Sequence, residues 1–435
     1  MIEVPPKITN STSPKNNFLQ DGIVKESINR LQDSYAYWSE VKYKKIEGIP
    51  DAHNLWSILK NERASKSVDV YPKYNLHFAL TNQMMRLCHL FDMNFGGKWG
   101  SESIIPKESS RRYLLGSIIE EAISSSQMEG ASTTRKIAKE MLRKNITPKD
   151  KSQRMIYNNF QTIQYLAAHT AEPLSLELIL QIYGLITKDT LENPEYSGKF
   201  RQNNDVVVEN AITHEVVHIP PSFTEIASSI EWLVNFVNND DTSVFIHPII
   251  KATIIHFFIS YLHPFVDGNG RTARALFHWY MLKEGYWLTE YLSISRVIYK
   301  SKASYEKSFL YAEADHNDMG YFITYHLNAL QKAFEELKKY ISRKTAQQND
   351  QNRLIKLGNV TQRQAEILYM FLKNEDKILT VRDITSKLLI SPTTAKHDIV
   401  GLVDQSLLSE ISLNRQKKGY IRGEKYNVVI DTLYT

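Results

Sequence analysis

Apolar residues recur at helical spacing along most of the chain as far as residue 343, and this periodicity constrains the fold more than any other feature. One segment, residues 198–221, departs from it. There the β-branched runs 206–208 and 216–219 are separated by the turn-like pair Glu209-Asn210, which is typical of a β-hairpin. The sequence therefore predicts a mostly α-helical fold that contains one hairpin.

The pattern divides the chain into four segments. Residues 1–108 form an N-terminal helical region, with one helix expected at about 76–91, and residues 109–343 form a large helical domain. Residues 344–357 are polar without apolar periodicity, which indicates a linker. After them the pattern changes, so residues 358–435 are expected to form a separate domain.

The composition excludes several classes of protein. With 42% hydrophobic and 23% charged residues, the 435-residue chain is neither disordered nor fibrous. The single cysteine, Cys88, excludes an internal disulfide framework and a cysteine-rich zinc site, and it suits a reducing compartment. The polar N-terminus resembles no signal peptide, and polar residues interrupt the most apolar stretch, 244–265. We therefore expect a cytoplasmic protein that has no membrane partner.

The segment HPFVDGNGRTAR, residues 263–274, has the residues of an anion-binding loop that leads into a helix. Gly268 and Gly270 allow backbone N–H groups to converge on one point, where the N-terminus of the following helix adds its positive dipole. Arg271 and Arg274 add cations that suit phosphate oxygens. The alternative is a glycine-rich turn that only caps a helix, with its arginines in solvent.

Three further side chains of this segment suit phosphate chemistry. Asn269 offers an amide, and Asp267 can hold a divalent metal ion on a polyphosphate. His263 immediately precedes the loop, where it can take a proton from an attacking hydroxyl group. A base, a metal ligand and a phosphate site thus fall within one short segment.

The same segment matches the signature of the Fic family, HPFx[D/E]GNGRxxR, at every fixed position, and residues 110–335 resemble that family's helical core. The resemblance implies a protein adenylyltransferase that uses ATP and Mg²⁺ to transfer AMP to a Tyr, Ser or Thr hydroxyl of a target protein or of itself. His263 would be the catalytic base and Asp267 the metal ligand. The ATP phosphates would bind Asp267, Gly268, Asn269, Gly270, Arg271 and Arg274.

Two more sets of residues are assigned by this resemblance. The predicted hairpin is similar to the family's flap, and its edge would hold a target segment by strand addition. The flap residues would be Val206, Val207, Val208, Val217 and His218. The family's adenosine contacts would fall at Tyr311 and Asp315.

A second motif, Ser125-Ser126-Gln127-Met128-Glu129-Gly130, resembles the family's inhibitory pattern and would end an inhibitory helix at about 112–130. Ser125, Glu129 and Gly130 are its defining positions, and the resemblance pairs Glu129 with Arg274. A carboxylate in the last turn of a helix faces the negative end of the helix dipole, so a cation opposite it would explain its place. The alternatives are a solvent-exposed Glu before a capping Gly, and a Glu that orients water for removal of AMP.

The last segment, 358–435, is similar to a winged helix-turn-helix. Its predicted elements are helices at 361–372, at 380–388 and from Pro392 onward, and strands at 407–413 and 420–429 around a basic wing. DNA contacts would come from Thr393, Thr394, Lys396, Arg415, Lys417 and Lys418. This segment contains eleven Lys and Arg and nine Asp and Glu, and its net charge of +2 is modest for a DNA-binding domain. An interaction or dimerisation module is therefore equally compatible with the sequence. DNA and a second copy of the chain are both candidate partners.

The sequence thus leaves two functions of different classes open. One is the adenylyltransferase, autoinhibited by Glu129. The other is a DNA-binding regulator in which the Fic core senses a nucleotide.

Overall fold

The computed structural model divides into two compact units, Met1–Leu337 and Lys338–Thr435. It describes residues 2–7, 22–96, 110–210, 213–239, 244–358, 360–372, 374, 376–388, 390–414 and 417–434. Over these residues the chain is mostly α-helical, with three small two-stranded antiparallel sheets. None of the helices in the described part is long and apolar enough to span a membrane.

The first unit begins with four helices and a β-hairpin. These elements are α1 (Gly22–Asp33), α2 (Trp38–Val41), α3 (Ala52–Ser65), β1 (Ser67–Tyr71), β2 (Leu76–Ala79) and α4 (Asn82–Phe95). The helix predicted at 76–91 is therefore wrong over its first residues, which form β2. Asn75 turns the chain in the left-handed conformation (φ 52°) just before β2. Thr81 then caps α4 by accepting a hydrogen bond from the Met84 N–H (3.2 Å), which fixes a later helix start than the apolar pattern suggests.

The rest of this unit is built around two central helices. Its elements are α5 (Ser110–Met128), α6 (Arg135–Arg143), α7 (Lys151–Ala168), α8 (Leu176–Thr187), β3 (Val208–Glu209), β4 (Val216–His218), α9 (Ile226–Asn238), α10 (Pro248–Leu262), α11 (Asn269–Lys283), α12 (Ile294–Lys300), α13 (Lys302–Ala314) and the first part of α14 (Gly320–Gly358), which continues past Leu337. α10 is apolar and buried on every side, as a helix in the middle of a core must be, and α11 packs against it. The 263–274 segment comprises the turn between these two helices and the first turns of α11.

The predicted hairpin is present but shorter than expected. Val208 pairs with His218 and Glu209 with Val216, with an irregular register between the two pairs. Val206 and Val207 precede the sheet. We call residues 206–210 and 213–218 the flap.

The predicted linker, 344–357, lies inside a helix, because α14 continues to Gly358. Residues 344–352 read KTAQQNDQN and hold neither Gly nor Pro, and Lys, Ala and Gln are good helix formers. A helix forms its backbone hydrogen bonds within itself and needs no apolar stripe for them. The absence of apolar periodicity therefore does not indicate a loop here.

The second unit contains α15 (Gln362–Tyr369), α16 (Val381–Leu388), α17 (Pro392–Asp404), β5 (Leu408–Ser412), β6 (Lys418–Arg422) and α18 (Glu424–Tyr434). The strand predicted over 420–429 ends at Arg422, and α18 follows it. A Cβ at Gly423 would collide with the Ser406 backbone, and Tyr426 is buried with its hydroxyl donating to Leu368 O (2.9 Å), so the chain turns into a packed helix at this point. The winged-helix assignment stays a prediction.

Candidate active site

His263 occupies the residue at which α10 ends. Its backbone is in the left-handed region (φ 47°, ψ 56°), which is uncommon for a residue with a side chain. The Nδ1 atom lies 3.2 Å from Ser260 O, so the ring donates there and presents a bare Nε2. Burial lowers the pKa of His263 to about 4. At neutral pH the ring is therefore an unprotonated base with a fixed tautomer.

The loop that follows His263 is held in place by the Asn269 side chain. The Asn269 amide donates to Phe265 O (2.8 Å), and its Oδ1 accepts from the Phe265 N–H (2.9 Å). The amide therefore closes the loop, a role that the sequence did not indicate. Gly268 has φ 84°, and a Cβ there would lie 2.9 Å from the Thr187 side chain, so both the conformation and the space require glycine.

Arg271 is a fully buried cation with unused donors. Its Nη1 donates to Ile186 O (3.3 Å), and Nη2 lies 3.6 Å from Asp267 Oδ1. Within the described part of the chain, Arg271 Nε and Nη2 make no hydrogen bond. A buried guanidinium whose donors lack acceptors favours the binding of an anion with several oxygens.

Arg274 is paired with the end of α5. It donates from Nη2 to Glu129 Oε1 (2.8 Å) and to Ser125 O (3.0 Å), and from Nε to Ser125 Oγ (2.8 Å). Gly130 (φ 89°) then ends the helix. Burial opposes ionisation of Glu129, but the charge and hydrogen bond of Arg274 keep the pKa of its carboxyl below the ordinary value. The Glu129 carboxylate is thus ionised beside the first turn of α11.

Gly270 allows this carboxylate to approach. A Cβ on Gly270 would collide with Glu129 Oε1 and would lie 3.1 Å from Arg274 Nη1. Because anions bind at helix N-termini, the place that Glu129 occupies is the one a phosphate group would take. The structure therefore brings the two sequence motifs into direct contact.

Several of these residues line one cleft of about 1040 Å³, counted to its open mouth, whereas Asn269 and Arg271 are not part of its lining. The walls come from the end of α5, the α10–α11 turn, α13 and the flap. The lining residues that the sequence singled out are Glu129, Val208, Val217, His218, His263, Gly270 and Arg274. His218 fixes the flap to the core, because its Nδ1 lies 2.8 Å from Glu313 Oε2 and its Nε2 lies 2.7 Å from Tyr261 O.

Other residues singled out by the sequence lie outside this cleft. The ring of Tyr311 stacks on Tyr37 at 3.8 Å between ring centroids. Asp315 is buried and accepts from Lys60 Nζ and from the Tyr321 hydroxyl, both at 2.7 Å. Both residues thus contact the N-terminal helices and the start of α14, and neither is part of the cleft lining.

The residues assigned to DNA belong to the second unit. Thr393, Lys396, Lys417 and Lys418 are exposed, Thr394 is half-buried, and Arg415 lies outside the described residues. Lys418 pairs with Glu410 at 2.7 Å. The exposed side chains of α17 and β6 leave this surface accessible.

Sequence reasoning missed Arg201, which joins the base of the flap to the catalytic turn. Its backbone N–H donates to Pro264 O (2.9 Å), its Nε to His263 O (3.0 Å) and its Nη2 to Pro221 O. Only 2% of this arginine is exposed. Its place directly before the hairpin, in GKFR, was the available signal. Tyr305, on α13, is a second missed residue of the cleft wall.

Comparisons with known proteins agree with the family resemblance that the sequence indicated. Residues 173–281 match the family model described as the Fic/DOC family. The protein adenylyltransferase Fic of Drosophila virilis is 29% identical over 126 residues, which cover 28% of this chain and 24% of that protein. The Drosophila melanogaster protein of the same name is 31% identical over 117 residues, 25% of this chain and 22% of that protein. The chain thus spans about a quarter of these relatives' length.

Two solved structures share the fold. A Fic family protein from Desulfovibrio desulfuricans G20 superposes with a TM-score of 0.52 at 16% identity, over 80% of this chain and 98% of that chain. Fic-1 from C. elegans superposes with a TM-score of 0.51 at 16% identity, over 74% of this chain and 84% of that chain. The predicted mostly helical, Fic-type fold is confirmed, and residues 173–281 are similar to the Fic/DOC family.

Proposed function

We propose that the protein is an adenylyltransferase that transfers AMP from ATP to a Tyr, Ser or Thr hydroxyl of a target protein and of itself. The observation that supports this most is that a neutral histidine with a bare Nε2 lines the same cleft as the start of a helix whose first turns carry two buried arginines. The similar Drosophila proteins are named protein adenylyltransferases.

In the proposed reaction the polyphosphate binds at the start of α11, against its backbone N–H groups and the free donors of Arg271. His263 Nε2 takes the proton of the acceptor hydroxyl, whose oxygen then forms a bond with the α-phosphorus. The bond from that phosphorus to the bridging oxygen breaks, and its electron pair leaves with pyrophosphate. Positioning and charge stabilisation account for most of the catalysis.

The residues present fit a Mg²⁺ ion that is bound mainly by the nucleotide. No cluster of three or more His, Cys, Asp or Glu side chains suited to a metal occurs among the described residues. Asp267 is half-exposed at the loop and would be a single protein ligand, as Mg²⁺ on a polyphosphate commonly has. The ion would neutralise phosphate charge.

The target would dock along the flap. Val208 and Val217 line the cleft and the Val216 side chain is half-exposed, so an extended segment could pair with a strand edge and bring its hydroxyl to His263. This recognition would read the backbone of the target more than its sequence.

We further propose that Glu129 holds the enzyme in an inhibited state. Its carboxylate engages Arg274 and fills the space beside Gly270 that a phosphate group would need. ATP that binds around it would have its α-phosphate turned away from in-line attack. Because Glu129 lies on the cleft near His263, the same carboxylate would also be placed to orient water for removal of AMP.

The direct test is intact-mass spectrometry of the protein, wild type and Glu129→Gly, after incubation with ATP and Mg²⁺. A mass gain of one AMP moiety on the protein or on an added target supports the proposal. If the wild type and Glu129→Gly both fail to gain this mass, and both fail to transfer AMP to any protein of the source cell, the function is not adenylylation.

The pH dependence of the reaction should reflect the environment of His263. Because burial lowers its pKa to about 4 from an ordinary 6.5, the base stays unprotonated as the pH falls through 6.5. We expect the rate of the Glu129→Gly variant at saturating ATP and Mg²⁺ to stay level from pH 8 to about 5.5 and to fall only as the pH approaches the folded-state pKa. An inflection near pH 6.5 would contradict the neutral, buried histidine.

A DNA-binding role for the second unit is a second candidate function, favoured by the exposed polar surface of α17 and β6. In that case the Fic core would sense nucleotide for a regulator. Thr393 and Lys396 lie in the first turns of α17, where a recognition helix reads bases.

Removing two cations from the predicted wing tests this role. Lys417→Ala with Lys418→Ala should weaken DNA binding about equally for all sequences and lower the salt slope by about one to two. The charge-matched control, Lys332→Ala with Lys339→Ala, should leave the slope unchanged. The measurement is filter retention of duplex DNA across a salt series. No salt-dependent retention by the intact protein at low ionic strength would instead favour an interaction module.

A further inference from the structure

A chain of three buried side chains runs from the core to the wall of the cleft. His256 of α10 and His326 of α14 are 0% and 1% exposed. His256 Nδ1 lies 3.1 Å from His326 Nε2, and His256 Nε2 lies 2.9 Å from the Tyr305 hydroxyl oxygen. Tyr305 lines the cleft beside Arg274. None of these three residues has a role in the mechanism described above.

Both histidines are neutral, so each ring carries one N–H. Burial lowers the pKa of His256 well below its ordinary value and that of His326 to about 3. Two arrangements of hydrogens then satisfy the two short contacts. Either every donor points inward, from Tyr305 to His256 to His326, or every donor points outward, from His326 to His256 to Tyr305.

The environment of His326 distinguishes the two arrangements. Its Nδ1 has no hydrogen-bond partner among the described residues, and its ring packs against Phe277 and Phe322 at 4.5 and 5.6 Å between centroids. The inward arrangement would place the His326 proton on Nδ1, as a buried donor without an acceptor. The outward arrangement leaves His326 Nδ1 as an acceptor without a donor. Burying an unpaired acceptor costs less free energy than burying an unpaired N–H donor. The outward arrangement is therefore favoured.

In the outward arrangement the Tyr305 oxygen accepts from His256, and its own hydrogen must go elsewhere. Arg274, its hydrogen-bonded neighbour, can only donate. Burial and the charge of the nearby Glu129 carboxylate raise the pKa of the Tyr305 hydroxyl. A phosphate group in the place of Glu129 would therefore be an acceptor for this hydrogen.

We propose that Tyr305 is a phosphate-binding residue, which donates its hydroxyl hydrogen to the polyphosphate of the nucleotide once Glu129 has left Arg274. The His256–His326 pair acts behind it as a positioning device that fixes the direction of this hydrogen bond. The inference rests on the proposed function and adds a ligand contact to the same site.

The first test measures binding in the Glu129→Gly background by calorimetry. Tyr305→Phe should weaken the binding of ATP and of inorganic triphosphate about tenfold or more, as expected for a lost hydrogen bond to a charged group, and should leave the affinity for adenosine unchanged. The matched control is Tyr325→Phe, whose hydroxyl pairs with Ser301 Oγ at 2.8 Å outside the cleft; it should change none of the three.

If Tyr305→Phe binds triphosphate as tightly as its parent, this inference is overturned and the proposed function is untouched. The same holds if the affinity for adenosine falls as much as that for triphosphate, because such a loss indicates a structural role. If the Glu129→Gly protein binds no ATP, the proposed function fails and this inference fails with it.

The second test reads the hydrogen positions in the wild-type protein. Nitrogen-15 NMR of histidine-labelled wild-type protein reports which ring nitrogen is protonated, with His256→Asn and His326→Asn used only to assign signals. We expect Nε2–H on both rings. An Nδ1–H signal on either ring would show the inward arrangement and overturn the inference.

Discussion

Replacing Glu129 with glycine is expected to raise AMP transfer, including self-labelling, by about 10- to 150-fold. This range corresponds to the loss of a competing hydrogen bond to a charged group, worth about 1.5–3 kcal/mol in the inhibited state. The Arg274 guanidinium, which Glu129 Oε1 contacts at 2.8 Å, becomes available to the polyphosphate. The assay is incorporation of label from α-labelled ATP.

Two comparisons make this prediction specific. Glu129→Gly combined with Arg274→Ala should be inactive, because the released cation is then missing. The matched control is a pair of Glu→Gln variants. Glu129→Gln should raise labelling. Glu120→Gln removes a carboxylate of the same helix that pairs with Arg135 at 3.2 Å, and it should leave labelling at the wild-type level. Unchanged or reduced labelling by Glu129→Gly would assign Glu129 to the helix end or to AMP removal.

Replacing His263 with alanine is expected to lower transfer by about 10²–10⁴-fold, the usual contribution of a general base. The assay compares His263→Ala with its parent in the Glu129→Gly background. ATP affinity should stay within about twofold, because the imidazole faces the acceptor hydroxyl and the phosphates bind α11. The loss should therefore appear in kcat and not in KM for ATP.

A histidine at the other end of α10 provides the control. His247 caps the start of the helix and lies 3.0 Å from Asp92. His247→Ala should therefore affect stability and leave transfer near the parental rate. Near-parental labelling by His263→Ala would show that another group takes the proton.

The sequence could predict those parts of the site whose contacting residues are close together in the sequence. The 263–274 segment is local, and the backbone chemistry of Gly268 and the charge of Arg271 can be inferred without a fold. Tyr305 and His256 are 49 residues apart in the sequence, and no periodicity indicates that they touch. The motif indicated which residues could react but not which buried neighbours orient them.

The contacts that the sequence did not indicate have the same physical origin. Asn269 was expected to face a ligand, but a short polar side chain next to a turn commonly bonds nearby backbone, and here it closes the turn on Phe265. Tyr311 and Asp315 lie at the end of α13, where residues of the N-terminal region contact both side chains. In the fold, the run 344–352 was polar enough to suggest a linker although its residues favour a helix.

The missing side chain at Gly270 has a consequence for how the inhibition can change. The same gap beside α11 admits the Glu129 carboxylate and would admit a phosphate group, so inhibitor and substrate share a single steric requirement. Any larger residue at position 270 would exclude both. Active variants without inhibition can therefore arise by substitution on α5. A substitution at position 270 would also displace Glu129, but it would block the phosphate-binding space at the same time.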